Sequence, residues 1–411
     1  MSGPECRACG ATLRHTFVDL GMSPLSNAIL RPEQLNSMEP YYPLHARVCE
    51  RCFLVQLEQY ERPEKIFENY SFFSSFSETW LRHSQEYAEG AIDRFHLNAK
   101  SLVVEVASND GHLLQYFQQR GIPVLGVEPA QNVAKAAEEK GVPTLAKFFG
   151  VQTAGELDAA RQQADLLVAN NVLAHVPDLR DFVAGLKRAL KPCGIITLEF
   201  PHLLRLIQGN QFDTIYHEHF SYFSFLTAED ILARQGLTVF DVEEIPTHGG
   251  SLRVYARHVE DDSQMSHARV SELRKLEIAT GIRQLDTYAV FGPKVRETKR
   301  SLLKFLVEAK NAAKSVVGYG APAKGNTLLN YCGVGRDFLD YTVDWSPHKQ
   351  GHFLPGTHIP IYHPDVIRKT RPDYVLILPW NLRAEILEQL KDLRQWGCRF
   401  VIPIPTIEVL E

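Results

Sequence analysis

The sequence contains no apolar run long enough to span a bilayer, and it opens without a charged-then-apolar secretion signal. Both absences point away from a membrane partner, and the cytoplasm is the expected compartment. A basic excess is missing too. Against 49 Asp and Glu stand only 44 Lys and Arg, a formal net charge of −5, so charge gives no reason to expect nucleic acid as a partner. Short-period repeats and low-complexity tracts are also absent. What remains, 45% apolar and 23% charged residues over 411 positions, is the make-up of an ordinary globular protein, long enough for two or three domains. Oligomeric state is not legible.

Cysteine is scarce but arranged. Of seven, Cys193, Cys332 and Cys398 stand alone, whereas Cys6, Cys9, Cys49 and Cys52 form two C-x-x-C pairs with 39 residues between them. In a compartment that keeps thiols reduced, four clustered thiols read as metal ligands rather than disulfides. Two such knuckles meeting place four thiolates around Zn²⁺. The site would be closed, with no position for a reacting water, so the zinc is expected to be structural.

Texture divides the chain in three. Residues 1–77 carry the cysteines, turn residues and short β-rich runs such as Leu54–Leu57. Residues 78–258 alternate strands (Leu102–Val106, Val124–Val127, Leu166–Ala169, Ile195–Phe200, Leu252–Ala256) with helical stretches at Leu113–Gln119 and Val133–Lys140. This alternation argues for an α/β domain with a mostly parallel sheet. Residues 259–411 begin with a helical connector, broken near Phe291-Gly292-Pro293. A second, smaller α/β series follows: Ser315–Tyr319, a helix, Tyr341–Asp344, Tyr374–Leu378 and Phe400–Ile404.

The first strand of the middle domain runs into Glu105-Val-Ala107-Ser108-Asn109-Asp110-Gly111. A loop of small residues before a helix lets backbone approach a ligand closely. The spacing is not the G-x-G-x-x-G of pyrophosphate binders, and Glu105 and Asp110 would repel a phosphate. A ligand with amino and sulfonium groups suits those carboxylates better. Glu128 ends the next strand, 23 positions after Glu105, where an acid can accept both ribose hydroxyls of an adenosine. Asn170, Asn171 and His175 follow a later strand, where the ligand's other end would lie. These features resemble the class I S-adenosylmethionine-dependent methyltransferases over roughly residues 95–260, with Ala107 in place of the usual loop glycine.

Between Tyr216 and Tyr222 lie two imidazoles, a carboxylate and two phenols. This is not H-E-x-x-H, whose histidines stand four apart. It reads as a general base beside a phenol donor, since an imidazole titrates near neutral pH; a helix end with aromatic packing and a second metal site are the other readings. The ordered set of four cysteines, methyltransferase segment, Tyr216–His219 block, His248-Gly249-Gly250 turn and Gly318–Lys324 loop resembles, nearly end to end, the deoxysugar C-methyltransferases. Members of that family methylate C-3′ of nucleotide-linked 4-keto-6-deoxysugars.

The resemblance implies a nucleotide-linked keto-deoxysugar as substrate. It places the catalytic base on His219, with Tyr216 and Glu218 beside it. It also implies an active-site tyrosine at Tyr70 or Phe72, with Ser75 in the same stretch. Tyr222, His248 and Gly249 would border the sugar. Lys324, at a helix N-terminus, and Lys349 would serve the diphosphate, though for His248 and for the Lys324 turn a purely structural role reads equally well. Two other enzymes compete: a nicotinamide-dependent nucleotide-sugar oxidoreductase, and an O- or N-methyltransferase acting on a sugar. A non-enzymatic zinc-ribbon adaptor is the third rival, and it leaves the Tyr216–His219 block without a purpose.

Overall fold

The computed structural model describes residues 3–67, 74–76 and 78–411. Three sheets organise them. The middle one has seven strands in the spatial order Leu237–Ile245, Ser251–His258, Leu190–Pro201, Ala164–Asn170, Val103–Val106, Val124–Val127 and Thr144–Leu145. The last five are mutually parallel, and Ser251–His258 is antiparallel to both of its neighbours. Helices cover the sheet, so the central strand Val103–Val106 is buried at every position, as its run of Val-Val-Glu-Val suggests for a strand sealed on both faces. The order turns back between Val103–Val106 and Ala164–Asn170. Ligands bind outside the carboxyl ends of strands at such a reversal, and the Glu105–Gly111 loop and Asn170–Asn171 both lie there.

The C-terminal sheet repeats the plan: Ile361–Tyr362, Thr342–Val343, Val316–Tyr319, Tyr374–Ile377 and Arg399–Ile402 run parallel, and Glu408–Leu410 is antiparallel at one edge. Its reversal lies between Val316–Tyr319 and Tyr374–Ile377. The N-terminal sheet is small and antiparallel, built of His15–Ser23, Tyr42–Val48, Val55–Gln56 and, unexpectedly, Ser221–Tyr222. The segmentation by texture gave those last two residues to the middle domain alone.

One apolar core joins the ends. Phe17 and Leu44 of the N-terminal sheet pack in the same cluster as Leu203, Phe212 and Ile215, and as Val316 and Leu328 of the C-terminal unit. Burying each such side chain contributes about 1.5–3 kcal/mol, so the Phe212–Tyr222 block is gripped from three directions. Phe291-Gly292-Pro293 opens the helix Phe291–Asn311 directly after the short helix Leu285–Ala289. Proline is accommodated in a first turn, whose N–H groups lack intrahelical partners anyway. Packing of the middle unit continues past residue 258: the buried Glu277 carboxylate accepts from the Phe225 and Leu226 amides at 2.7 and 2.9 Å, capping the helix Phe225–Arg234.

Candidate active site

The four cysteine sulfurs lie within 4.8 Å of one another, with Cys6–Cys52 and Cys9–Cys49 each at 3.5 Å. Tetrahedral zinc with ~2.3 Å bonds to sulfur needs S···S edges of ~3.8 Å. The donor set therefore fits Zn²⁺, and four protein ligands saturate it.

At the first reversal, Ala107, Asn109 and Gly111 all have positive φ, at 58°, 49° and 74°. A side chain on Gly111 would meet Val142 Cγ2 at 2.8 Å. Gly111→Ala is therefore expected to lower stability by about 1–3 kcal/mol, read as a fall in melting temperature. The loop is held by Glu128, whose carboxylate accepts from the Asn109 amide at 3.0 Å and from the Ala130 amide at 2.9 Å. Sequence reasoning reserved Glu128 for a ribose; its two oxygens already shape the loop, with lone pairs to spare.

Burial, and then the nearby Glu128 and Asp110, hold the Glu105 carboxyl well above its usual range. Glu105 Oε2, Ser108 Oγ, Asn170 Oδ1 and Asn171 Nδ2 are buried without hydrogen-bond partners among the described residues. Buried polar groups of this kind are costly unless a ligand satisfies them. Oxygen acceptors at Glu105, Ser108 and Asn170 suit a ligand bearing an amine and a positive charge, and the Asn171 amide supplies a donor for its carboxylate, so these residues fit S-adenosylmethionine.

His175, in the short turn after Ala164–Asn170, joins this pocket to the Tyr216–His219 block: its ring meets that of His219 edge to face, with centroids 4.7 Å apart. His219 Nδ1 lies 2.9 Å from the Thr214 carbonyl. A carbonyl only accepts, so Nδ1 carries the proton and Nε2 presents the lone pair. Tyr216 donates its hydroxyl to that nitrogen at 2.9 Å. Burial first, then His175, push the His219 pKa well below the imidazole range, so the ring is a neutral base at physiological pH. Glu218 accepts from Asn27 Nδ2 at 2.7 Å, and burial lifts its carboxyl to about 7. The Tyr222 hydroxyl is buried, and its ring centroid lies 6.1 Å from that of His219.

Around this centre His248 sits in a strained turn at φ 56°, its ring 5.4 Å from Trp80. At Gly249 (φ +90°) an added Cβ would stand 2.8 Å from Trp380. Lys324 donates to Asn381 Oδ1 at 2.8 Å and lies over the Trp380 ring, and Trp380 donates to buried Asp213 at 2.6 Å. Ser75 and Lys349, both expected at the substrate, have these partners here. Ser75 accepts from Lys140 at 2.8 Å, and Lys140 also grips Asp110 at 2.7 Å, which ties Ser75 to the Glu105–Gly111 loop. Lys349 donates to the Ala321 carbonyl at 2.9 Å, so it braces the Gly318–Lys324 loop. Tyr70 and Phe72 lie outside the described residues. Asn27, Asp213, Trp380 and Asp344 went unassigned in the sequence. Asp344 accepts from the Ala321 and Ser346 amides at 2.8 Å each, as Glu128 does in the middle sheet.

Burial also depresses His112, His175 and His248 to about 4. Below about pH 6.5 the unfolded chain takes up protons that these folded histidines refuse, so stability drops on acidification. Glu218 and Asp213, lifted by burial to about 7 and about 6, take up protons in the fold before the unfolded chain does and offset part of this loss, so the melting temperature is expected to decline from pH 6.5 to pH 4.5 by less than the histidines alone would give.

Comparison with known proteins fits this geometry. Residues 6–67 match the family described as "Putative zinc binding domain", 80–242 a "Methyltransferase domain", and 246–405 a "C-methyltransferase C-terminal domain". C-methyltransferase NovU of Streptomyces niveus is 35% identical over 406 residues, covering 99% of this chain and 96% of that protein. The chain belongs to the C-methyltransferase family. It is an S-adenosylmethionine-dependent enzyme with a structural zinc. A ubiquinone biosynthesis O-methyltransferase of Rhodopseudomonas palustris (strain BisB5) is 30% identical over 116 residues, covering 26% of this methyltransferase and 46% of the relative. Among solved structures, an S-adenosylmethionine-dependent methyltransferase from Clostridium acetobutylicum ATCC 824 is 12% identical, covering 43% of this chain and 92% of its own, with a TM-score of 0.35.

Proposed function

We propose that this C-methyltransferase methylates C-3′ of a nucleotide-linked 4-keto-6-deoxysugar, with His219 as the base that generates an enolate. The observation that carries the proposal is the His219 tautomer: Nδ1 is tied to Thr214, which leaves Nε2 neutral and basic, in a ring packed edge to face on His175. A 4-keto group makes the neighbouring C-3 hydrogen acidic, so a neutral imidazole is a suitable acceptor for it.

Tyr216 gives the site a built-in order. Its hydroxyl masks Nε2 while no ketone is present. A sugar carbonyl that accepts the Tyr216 O–H draws it from the imidazole and frees the lone pair in the same movement. The phenol then faces the oxygen on which negative charge develops, a contact worth roughly 3 kcal/mol. His175 and His219 stay uncharged, so no fixed positive charge opposes the incoming cationic cofactor. S-adenosylmethionine, when bound, supplies the methyl group as an electrophile on sulfonium.

Lys324 and the N-terminus of the helix Ala323–Cys332, at the second reversal, suit the diphosphate, while His248 and Tyr222 border the sugar. A neutral carbon acid as the nucleophile's source separates this reading from O- or N-methylation. The acid-rich Glu105–Gly111 loop also lacks the glycine triplet that a nicotinamide oxidoreductase would use there. The test is product NMR after incubation with S-adenosylmethionine and a 4-keto-6-deoxysugar nucleotide. A methyl singlet from a quaternary C-3 is expected; an O-methyl or N-methyl resonance would overturn the proposal.

A further inference from the structure

We propose that Asn27, carried in from the zinc-binding end of the chain, is a positioning residue for the active site: it holds one oxygen of Glu218 so that the other is presented to the sugar. The inference rests on the function proposed above and names a residue for which the sequence motifs gave no role.

The contact spans 191 positions of sequence, with Asn27 Nδ2 donating to Glu218 Oε1 at 2.7 Å. Glu218 is 4% exposed, and its Oε2 has no hydrogen-bond partner among the described residues. A pair whose task was only to join two segments would satisfy both oxygens, because a buried acceptor left alone carries a desolvation cost. Here the cost is borne one residue from His219, which is where a ligand hydroxyl or ketone would meet it.

Asn27 is itself fixed from both sides. Before it, the Ser26 carbonyl accepts from Asn326 Nδ2 at 2.6 Å, and Ser26 Oγ lies 3.3 Å from Thr327 Oγ1. Thr327 in turn donates to the Ile215 carbonyl at 3.1 Å. After it, Leu30 and Phe353 exchange backbone hydrogen bonds at 2.9 and 2.8 Å. The segment is thus a strap laid across the C-terminal unit, with one amide side chain reaching the catalytic block. Through it the zinc-binding unit acts on the sugar site without touching the reacting atoms.

The experiment is a double-mutant cycle on the zinc-loaded, full-length enzyme, with kcat and KM measured for sugar and for S-adenosylmethionine. Asn27→Ala is expected to lower kcat/KM for the sugar tenfold or more while KM for S-adenosylmethionine stays within twofold. Added to Glu218→Gln, it should cost no more than a further twofold, because the two residues act through one contact. Asn27→Asp sets two acids against each other and should be the poorest single variant; Asn27→Asp with Glu218→Gln restores a donor–acceptor pair and should recover at least tenfold. Should Asn27→Ala fail to fold, judged by zinc content and melting temperature, the comparison of Asn27→Asp with and without Glu218→Gln decides. Multiplicative losses, or no recovery in the reversed pair, would overturn the proposal. Failure of the function itself is read separately, from the position of the methyl group in the product.

Discussion

His219→Asn is expected to cut the rate of methyl transfer by roughly two to four orders of magnitude, the usual contribution of a general base. The loss should fall on kcat, with KM for S-adenosylmethionine little changed, because asparagine fills a similar volume and leaves the cofactor loop intact. Asparagine can still donate to the Thr214 carbonyl that now takes Nδ1–H at 2.9 Å, so the fold should survive. What disappears is the basic lone pair. Tyr216→Phe should cost less, because it removes a donor to the developing oxyanion and also unmasks Nε2; these act in opposite directions. Rapid-quench measurement of the methylated product at saturating substrates checks both variants. The acid limb of the wild-type kcat/KM profile should also lie below the ordinary histidine range. Burial and His175 hold the His219 pKa down, so the ring remains unprotonated, and active, below pH 6.5.

The second large effect concerns the metal. Cys49→Ser is expected to release the zinc and unfold more than the knuckle. Zinc in small structural sites contributes roughly 10–16 kcal/mol of folding free energy, comparable with the whole stability of a domain. Leu54, adjoining the second cysteine pair, is buried in the same cluster as Val104 and Leu167 of the middle sheet. The strand Val55–Gln56 just beyond pairs with Ser221–Tyr222, two residues from His219. Loss of the metal therefore disturbs the catalytic block through backbone hydrogen bonds. Metal analysis should give about one zinc per chain in the wild type and little in the variant, whose melting transition should shift down or vanish. Folded, fully stable protein without zinc would refute a structural metal.

Legibility in the sequence followed the range of the interactions. The cysteine pairs, the acid-lined loop after Glu105 and the Tyr216–His219 block are each compact in sequence, so residue type and spacing single them out. The alternation of apolar runs with helical stretches fixed the two parallel sheets for the same reason. Ser221–Tyr222 escaped because a two-residue strand has no periodicity to detect, and its partner is Val55–Gln56. Asn27 escaped because it is one polar residue in a turn-rich stretch whose role depends on a side chain 191 positions away. Trp380 and Asp213 meet across 167 positions, and neither carries a signal alone. The contacts of Ser75 with Lys140 and of Lys349 with Ala321 were equally hidden, since each depends on a residue far off in sequence.

Proton exchange uncoupled from methyl transfer tests the central claim most directly. The enzyme is incubated in D₂O with S-adenosylhomocysteine in the cofactor pocket and the 4-keto-6-deoxysugar nucleotide, and deuterium at C-3 is followed by NMR. The wild type should wash deuterium into C-3 well above the solution rate, and His219→Asn should not. Equal exchange by both proteins would mean that another group removes the proton, and the role given to His219 would be wrong.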